Sequence, residues 1–168
     1  DFSLTLNDDT VIKADHVILA IGLEGNPRKL GVTGENLPLV QYTLDDPTAY
    51  NDEMIVVVGA GDSAIENALG LMKQNSVAIL NRRDEFSRAK EGNLNAVLAA
   101  NADPKVPLTC YYSTSVKQLA RTDDGYQITL NTPTGEESFA CDRVIARLGG
   151  IPPRGFVESI GVEFPNKK

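Results

Sequence analysis

A short glycine-rich segment lies between an apolar run and an amphipathic run, and its spacing suits phosphate binding. It reads Gly59-Ala60-Gly61-Asp62-Ser63-Ala64. Gly59 permits a sharp turn, Gly61 lets the backbone approach a pyrophosphate, and Ala64 allows close packing of a helix on a strand. The N–H groups of the first helical turn attract phosphate groups. The segment therefore predicts dinucleotide binding by all six residues, and a glycine-rich turn without a ligand is the alternative.

The flanking residues predict the elements that such a segment needs. Residues 54–58 form a short apolar run typical of a buried strand, and residues 77–80 form a second one. Between them, apolar residues recur at the period of one helix face, namely Ile65, Ala68, Leu69 and Met72. Strand, glycine turn, helix and strand make one βαβ unit, which is the context that gives the glycine pattern its meaning.

A basic group follows the second strand and indicates which dinucleotide is bound. NAD-binding folds usually place Asp or Glu there, about 20 residues beyond the glycine turn, to hold the ribose 2′-hydroxyl. This sequence instead has Asn81-Arg82-Arg83, with Arg88 nearby. Guanidinium groups suit a 2′-phosphate, which they bind through forked hydrogen bonds. The pattern predicts NADP(H), and a solvated basic surface turn is the alternative.

Glu66, in the first turns of the predicted helix, has two open interpretations. It balances the positive end of the helix dipole, or it faces the nicotinamide end of the ligand. Spacing alone does not choose between them.

Composition excludes several classes of function. The net charge of −7 disfavours nucleic-acid binding, and no apolar run approaches the length of a membrane span. Cys110 and Cys141 form no CxxC pair and no metal-ligand spacing, so we interpret them as buried apolar residues. His16 lies in a strand-like run, and we interpret it as structural. We predict no metal, no catalytic side chain in this chain and a cytoplasmic location.

The remaining patterns predict an α/β fold: a Rossmann-like parallel sheet with helices on both faces, an antiparallel β-meander, and flanking strands. A hairpin is expected over residues 2–13, a strand over 17–21 and a breaker-rich connection over 23–52. A helix is expected over 90–101, with Leu94, Val97 and Leu98 on one face. Further strands are expected over 108–112, 115–120, 126–131, 137–140 and 144–146.

An approximate internal repeat suggests two related domains. Residues 15–22 match residues 142–149, and residues 2–7 resemble residues 126–131. We therefore expect residues 1–50 to be the end of a first domain half with a linker. Residues 51–150 would be the NADP(H)-binding domain, and residues 151–168 would begin a return segment.

Residues 56–68, followed by 81–86, resemble the NADPH domain of thioredoxin reductase-like flavoproteins, in which this domain is inserted into an FAD-binding domain. Residues 20–22 and 26–35 resemble the entry to that insert, and Leu148-Gly149 with Pro152 resembles its exit. The resemblance implies that Arg82 and Arg83 bind the 2′-phosphate and adds Gly149 to the cofactor-binding candidates. The third arginine of the family aligns with Ser87, and Arg88 lies one position later. Hydride would pass from the nicotinamide to FAD, then to a disulfide or another acceptor.

Two departures from the family refine this expectation. Thioredoxin reductases carry a redox CxxC before the glycine-turn strand, whereas residues 40–47 here contain no cysteine. Thioredoxin reductase-like ferredoxin–NADP reductases, which lack that pair, are therefore more similar in kind. No FAD fingerprint occurs either, so we expect FAD in the full-length protein and not in this segment.

The leading hypothesis is the NADPH-binding part of an FAD-dependent oxidoreductase. Its expected partners are NADPH, the FAD-binding domain of the same full-length chain and an unidentified electron acceptor. A homodimer is left open, and we expect neither nucleic acid nor a membrane as a partner. One alternative is a non-enzymatic NADP(H)-sensing module, since sensing and catalysis share folds. Another is a self-contained dehydrogenase, although no Tyr-x-x-x-Lys pattern occurs around the five tyrosines.

Overall fold

A five-stranded parallel sheet forms the centre of the protein, in a computed structural model that describes residues 1–23 and 25–164. Its strand order is β3-β10-β4-β5-β6. A three-stranded antiparallel sheet, β7-β8-β9, and a two-stranded hairpin, β1-β2, complete the strands described. The strands are β1 Phe2–Thr5, β2 Val11–Ala14, β3 Val40–Gln41, β4 Met54–Val58, β5 Ser76–Leu80, β6 Leu108–Tyr111, β7 Ser115–Thr122, β8 Gly125–Thr132, β9 Gly135–Ala140 and β10 Arg143–Ala146. The helices are α1 Asp62–Leu71, α2 Glu91–Ala102 and α3 Arg154–Ser159, with a 3-10 turn at Pro47–Ala49.

The two faces of the central sheet are covered by different layers. Ile55 and Val57 of β4 point into a core shared with α1 and α2. Val56 and Val58 point to the other side, where they pack against β7 and β8. This alternation follows from the two-residue period of a strand. The α/β class with a parallel sheet and a meander is confirmed, but the expected helices on both faces are not found: both longer helices lie on one face, and the meander occupies the other.

Helix α1 packs closely on the sheet because its inner face combines small and large residues. Ala64, Ile65, Ala68 and Leu71 are all fully buried. The predicted face was correct at Ile65 and Ala68, since these repeat at helical spacing. In α2, Val97 is buried as expected, but Leu98 is 42% exposed and the prediction for it was wrong. Ala100 takes the second buried position, one helical step from Val97.

The N-terminal region agrees with the sequence in part. The predicted hairpin is confirmed as β1 paired antiparallel with β2. Residues 17–21 form no strand, although their composition resembles that of β10, and Ile18 is 91% exposed. A strand needs a neighbour for its backbone hydrogen bonds. No described strand lies beside this run, so the expected strand is not formed.

The breaker-rich connection contains more order than its composition indicates. Leu39 is buried, and the short strand β3 that follows pairs in parallel with β10 at one edge of the sheet. Helix α3 was also not predicted, because its six residues are too few to show a helical period. No described helix is long and apolar enough to cross a membrane.

Candidate functional site

The glycine turn lies at the carboxyl end of β4, where the strand leads directly into α1. Gly59 adopts φ +146°, a conformation that L side chains rarely adopt. A Cβ atom added to it would lie 2.4 Å from the carbonyl oxygen of Arg147 and 3.1 Å from Cβ of Ala64. Gly59 is therefore required by the fold itself, because the turn runs against the residue that follows β10.

Gly61 has a different environment although it lies only two residues later. It has ordinary negative φ, and an added Cβ atom would meet nothing within 4 Å. Its backbone faces open space at the start of α1. No fold requirement for glycine is visible at this position, so its lack of a side chain leaves room for a ligand to approach the backbone.

The first turn of α1 provides N–H groups for an anion. Gly61 is the N-cap residue, and no side chain accepts a capping hydrogen bond there. Ser63 is exposed in this turn, and Ala60 is partly buried just before it. An uncapped helix N-terminus beside a glycine turn attracts phosphate through its N–H groups and the helix dipole.

The basic group lies beside this turn because β4 and β5 are parallel neighbours. Val58 and Leu80 pair in register, so the chain leaves both strands at the same edge of the sheet. The residues between β5 and α2, 81–90, are called the arginine loop below. Arg82, Arg83 and Arg88 of this loop are all exposed.

Asn81 fixes the backbone of the arginine loop. Its side chain is only 1% exposed; Nδ2 donates to the carbonyl oxygen of Glu85 at 2.7 Å, and Oδ1 accepts from the amide of Arg83 at 2.9 Å. The carbonyl oxygen of Arg83 accepts from the amide of Ser113 at 2.8 Å. The Asn81 side chain is thus occupied within the protein, and its visible contribution is to hold the arginines in place.

The arginine side chains keep their charge available. Among the described residues, no salt bridge involves Arg82, Arg83 or Arg88. Arg83 donates from Nη1 to Oγ of Ser87 at 3.1 Å, which is a neutral partner. Ser87 therefore orients Arg83. An uncompensated basic group in a net-acidic chain is suited to an anionic ligand.

Asp62 and Glu66 on α1 connect to the start of α2. Oδ1 of Asp62 accepts from the backbone amide of Lys90 and from Nδ2 of Asn93, both at 2.8 Å. The same Nδ2 contacts Oε1 of Glu66 at 3.0 Å. The hydrogen bonds from Lys90 and then Asn93 hold the pKa of the Asp62 carboxyl below its usual value. Asn93 was not identified from the sequence, since only the fold brings it next to α1.

Gly149 and Arg147 lie on the other side of the glycine turn, after β10. Gly149 has φ +81°, and its carbonyl oxygen accepts from the amide of Arg28 at 2.9 Å. The amide of Arg147 donates to Val58 at 2.8 Å, and its guanidinium donates to the carbonyl oxygen of Tyr42 at 3.0 Å. Arg147 was not singled out from the sequence, and the structure places it beside the glycine turn. The sequence could have pointed to Arg147, because it directly follows the predicted strand 144–146. Ligands of open parallel α/β sheets bind at the carboxyl ends of strands, where the strand order changes direction.

The cysteines show no reactive environment. Burial raises the pKa of the Cys110 thiol to about 11 and that of Cys141 to about 12, so both are protonated at neutral pH. Both are free thiols. Within residues 1–23 and 25–164, no group of His, Cys, Asp and Glu could hold a metal ion. The candidate site comprises the glycine turn, the start of α1, the arginine loop and the residues after β10.

Comparisons with known proteins identify the family of the chain. A family model described as pyridine nucleotide-disulphide oxidoreductase matches residues 1–168. A ferredoxin–NADP reductase of Ignicoccus hospitalis is 34% identical over 157 residues, covering 90% of this chain and 49% of the relative. The thioredoxin reductase of Bacillus subtilis is 31% identical over 158 residues, covering 89% of this chain and 48% of the relative. The chain spans about half the length of the curated relatives it matches.

Solved structures share the fold. The bacillithiol disulfide reductase of Bacillus cereus superposes with a TM-score of 0.77 and 25% identity, covering 87% of this chain and 44% of that one. The thioredoxin reductase of T. acidophilum also reaches 0.77, at 21% identity, covering 96% of this chain and 52% of that one. The match over residues 1–168, together with relatives above 30% identity, shows that the chain belongs to the pyridine nucleotide-disulphide oxidoreductase family.

Proposed function

We propose that this chain is the NADP(H)-binding part of an FAD-dependent oxidoreductase. In this proposal the oxidoreductase passes hydride from NADPH to FAD, and the electrons continue to a disulfide, ferredoxin or another acceptor. The observation that carries the proposal is the adjacency of two features at one edge of the sheet. The open Gly61 begins α1 after β4, and the uncompensated Arg82 and Arg83 follow β5, its parallel neighbour.

Each part of the site has a role in this proposal. The uncapped start of α1, with Ala60, Gly61 and Ser63, receives the pyrophosphate. Arg82 and Arg83 bind the 2′-phosphate, and the exposed Arg88 adds positive charge. The nicotinamide carries the hydride, and the chain contributes binding and orientation. Nδ2 of Asn93 donates a hydrogen bond of 3.0 Å to Oε1 of Glu66, which favours a structural role for this carboxylate.

The FAD-binding domain in this proposal contacts the two ends of the described chain. Phe2, Ile18 and Phe156 are each more than half exposed, at 55%, 91% and 51%. In this proposal the FAD-binding domain covers these side chains and removes their apolar surface from water. Residues 1–50 are then the end of the first FAD-domain half and a linker, whose strand β3 pairs with β10 at the edge of the central sheet. Residues 51–150 form the NADP(H) domain, and residues 151–168 begin the return to the FAD-binding domain. The names of the relatives, which include ferredoxin–NADP and thioredoxin reductases, support the stated classes of acceptor.

The test is a calorimetric titration of the 168-residue chain with NADPH and with NADH. We expect tighter binding of NADPH. Arg82→Ala combined with Arg83→Ala removes two charge-assisted contacts to the 2′-phosphate, and we expect NADPH affinity to fall about 10- to 100-fold. NADH affinity should change little, because that ligand carries no 2′-phosphate.

A matched control removes the same charge elsewhere. Lys105 and Arg121 are exposed, and neither forms a described salt bridge. Lys105→Ala with Arg121→Ala should leave NADPH affinity nearly unchanged. An equal loss in both double variants would attribute the effect to net charge and contradict the assignment to the arginine loop. Equal affinity for NADPH and NADH would contradict NADP selectivity.

A further inference from the structure

The arginine loop is held at both ends, by different parts of the fold. At its start, Asn81 is buried and binds the loop backbone through Glu85 and Arg83. At its end, the amide of Lys90 donates to the carboxylate of Asp62 on α1. The position of the arginines is therefore set relative to two features, the tip of β5 and the first turn of α1.

The contact at Asp62 replaces a local cap on α2. Lys90 is the N-cap residue of α2, and no side-chain cap hydrogen bond forms there. Helix N-termini need acceptors for their free N–H groups. The Asp62 carboxylate accepts from the amide of Lys90 and from Nδ2 of Asn93, in the first turn of α2, both at 2.8 Å. The start of α2 is thus fastened to the start of α1, next to the glycine turn.

The charge of Asp62 also argues against direct contact with phosphate. A carboxylate repels a pyrophosphate group, and this one lies in the first turn of α1. Two neutral N–H donors, the amide of Lys90 and Nδ2 of Asn93, already occupy Oδ1 and favour the charged form of the carboxylate. The sequence placed Asp62 among the cofactor-binding residues, whereas its contacts assign it to the support of the arginine loop.

We infer that Asp62 and Asn93 are positioning residues that set the preference for NADPH over NADH, by fixing the arginine loop relative to the glycine turn. This inference rests on the proposed function. Binding of the shared part of both coenzymes depends on the glycine turn and α1. Binding of the 2′-phosphate depends in addition on the distance between that turn and the arginines. Loosening the link therefore weakens NADPH binding selectively.

The experiment measures the dissociation constants of NADPH and NADH for the 168-residue chain and its variants. Asn93→Ala removes the side-chain hydrogen bonds to Asp62 and Glu66, and we expect the NADPH-to-NADH preference to fall about two- to tenfold. Asp62→Ala should have the larger effect, because it removes both contacts. Asp62→Asn keeps an oxygen acceptor at the same place and should restore the preference to within about twofold of wild type. Asn95→Ala, on the exposed side of α2, is the matched control and should behave like wild type.

A double-mutant cycle separates positioning from a general structural role. In a chain already carrying Arg82→Ala and Arg83→Ala, adding Asn93→Ala should have little further effect on the coenzyme preference, since Arg88 is the only arginine left in the loop. Circular dichroism and a thermal melt of each variant check that it is folded. If Asp62→Ala does not fold, the cycle with Asn93→Ala still decides the question.

Two results would overturn the inference. An unchanged preference in Asn93→Ala and Asp62→Ala would show that the link does not position the arginines. An equal weakening of both coenzymes would assign these residues to the shared part of the site. If Arg82→Ala with Arg83→Ala abolishes the preference in the same experiment, the proposed function stands and the positioning role alone is wrong. If the wild-type chain has no preference, both are wrong.

Discussion

Alanine substitution at the two glycines of the turn should change different properties: Gly59→Ala should lower stability, and Gly61→Ala should weaken ligand binding. Gly59→Ala places a Cβ atom 2.4 Å from the carbonyl oxygen of Arg147 and retains φ +146° only under strain. Backbone strain of this kind costs about 1–3 kcal/mol, and relief of the overlap requires a shift of β10 or of the turn. We expect a total destabilisation of about 3 kcal/mol or more, in the range of severe core substitutions.

Gly61→Ala should act on the ligand instead. An added methyl group meets nothing within 4 Å, and φ of −95° suits any residue. Loss of a glycine N-cap costs up to about 1 kcal/mol, and lower entropy of the unfolded chain returns about 0.4–1 kcal/mol. These effects nearly cancel, so stability should remain within about 1 kcal/mol of wild type. The methyl group does, however, enter the space through which a pyrophosphate approaches the backbone, and NADPH affinity should fall about tenfold or more.

The assay combines urea denaturation with calorimetry. With a slope of about 1–3 kcal/mol per molar urea, a loss of 3 kcal/mol lowers the midpoint for Gly59→Ala by about 1–3 M. Gly61→Ala should have a nearly unchanged midpoint and weak binding. Gly155, on α3, has similarly open surroundings, so Gly155→Ala provides a control for a glycine away from the turn. Unaltered NADPH binding by Gly61→Ala would refute the placement of the pyrophosphate, and unaltered stability of Gly59→Ala would refute the steric argument.

Two further predictions concern buried polar groups and thiols. Asn75 is 4% exposed, and its side chain hydrogen-bonds to the backbone of Tyr50, Leu71 and Glu53. Asn75→Ala should therefore lower the free energy of unfolding by about 2–3 kcal/mol in urea denaturation. Gln74→Ala, at an exposed neighbouring position, is the control and should lower it by less than about 0.5 kcal/mol. In a Cys110→Ser variant, Cys141 should react slowly with a thiol reagent in the folded protein and rapidly in urea, because the thiol is 3% exposed and burial raises its pKa to about 12. The pKa of the Cys141 thiol is higher in the folded protein than its ordinary value of 9.0. Burial of the protonated thiol therefore contributes fully to stability below pH 9.0, and this contribution is lost as the pH rises towards 12. Equal reaction rates in both states, or a stability independent of alkaline pH, would contradict this burial.

The sequence by itself determined the βαβ unit and carried the prediction of the type of ligand it binds. The apolar run of β4, the glycine spacing and the helical period of α1 are local signals, and each depends on residues close together in the chain. The basic residues after β5 were identified for the same reason, since parallel strands joined by one helix must end at the same edge of the sheet. The meander was likewise visible, because its strands are joined by short turns.

Only the tertiary structure decided features that depend on long-range packing. The meander covers the face of the sheet on which helices were expected, because its apolar side packs against Val56 and Val58. Residues 17–21 have the composition of a buried strand, but the described chain gives them no neighbour for hydrogen bonding. The link from Asp62 to Asn93 joins residues of two different helices, and no local pattern predicts such a pair. A period or a spacing specifies which element forms, whereas its neighbours and its hydrogen-bond partners are fixed only when the whole chain packs.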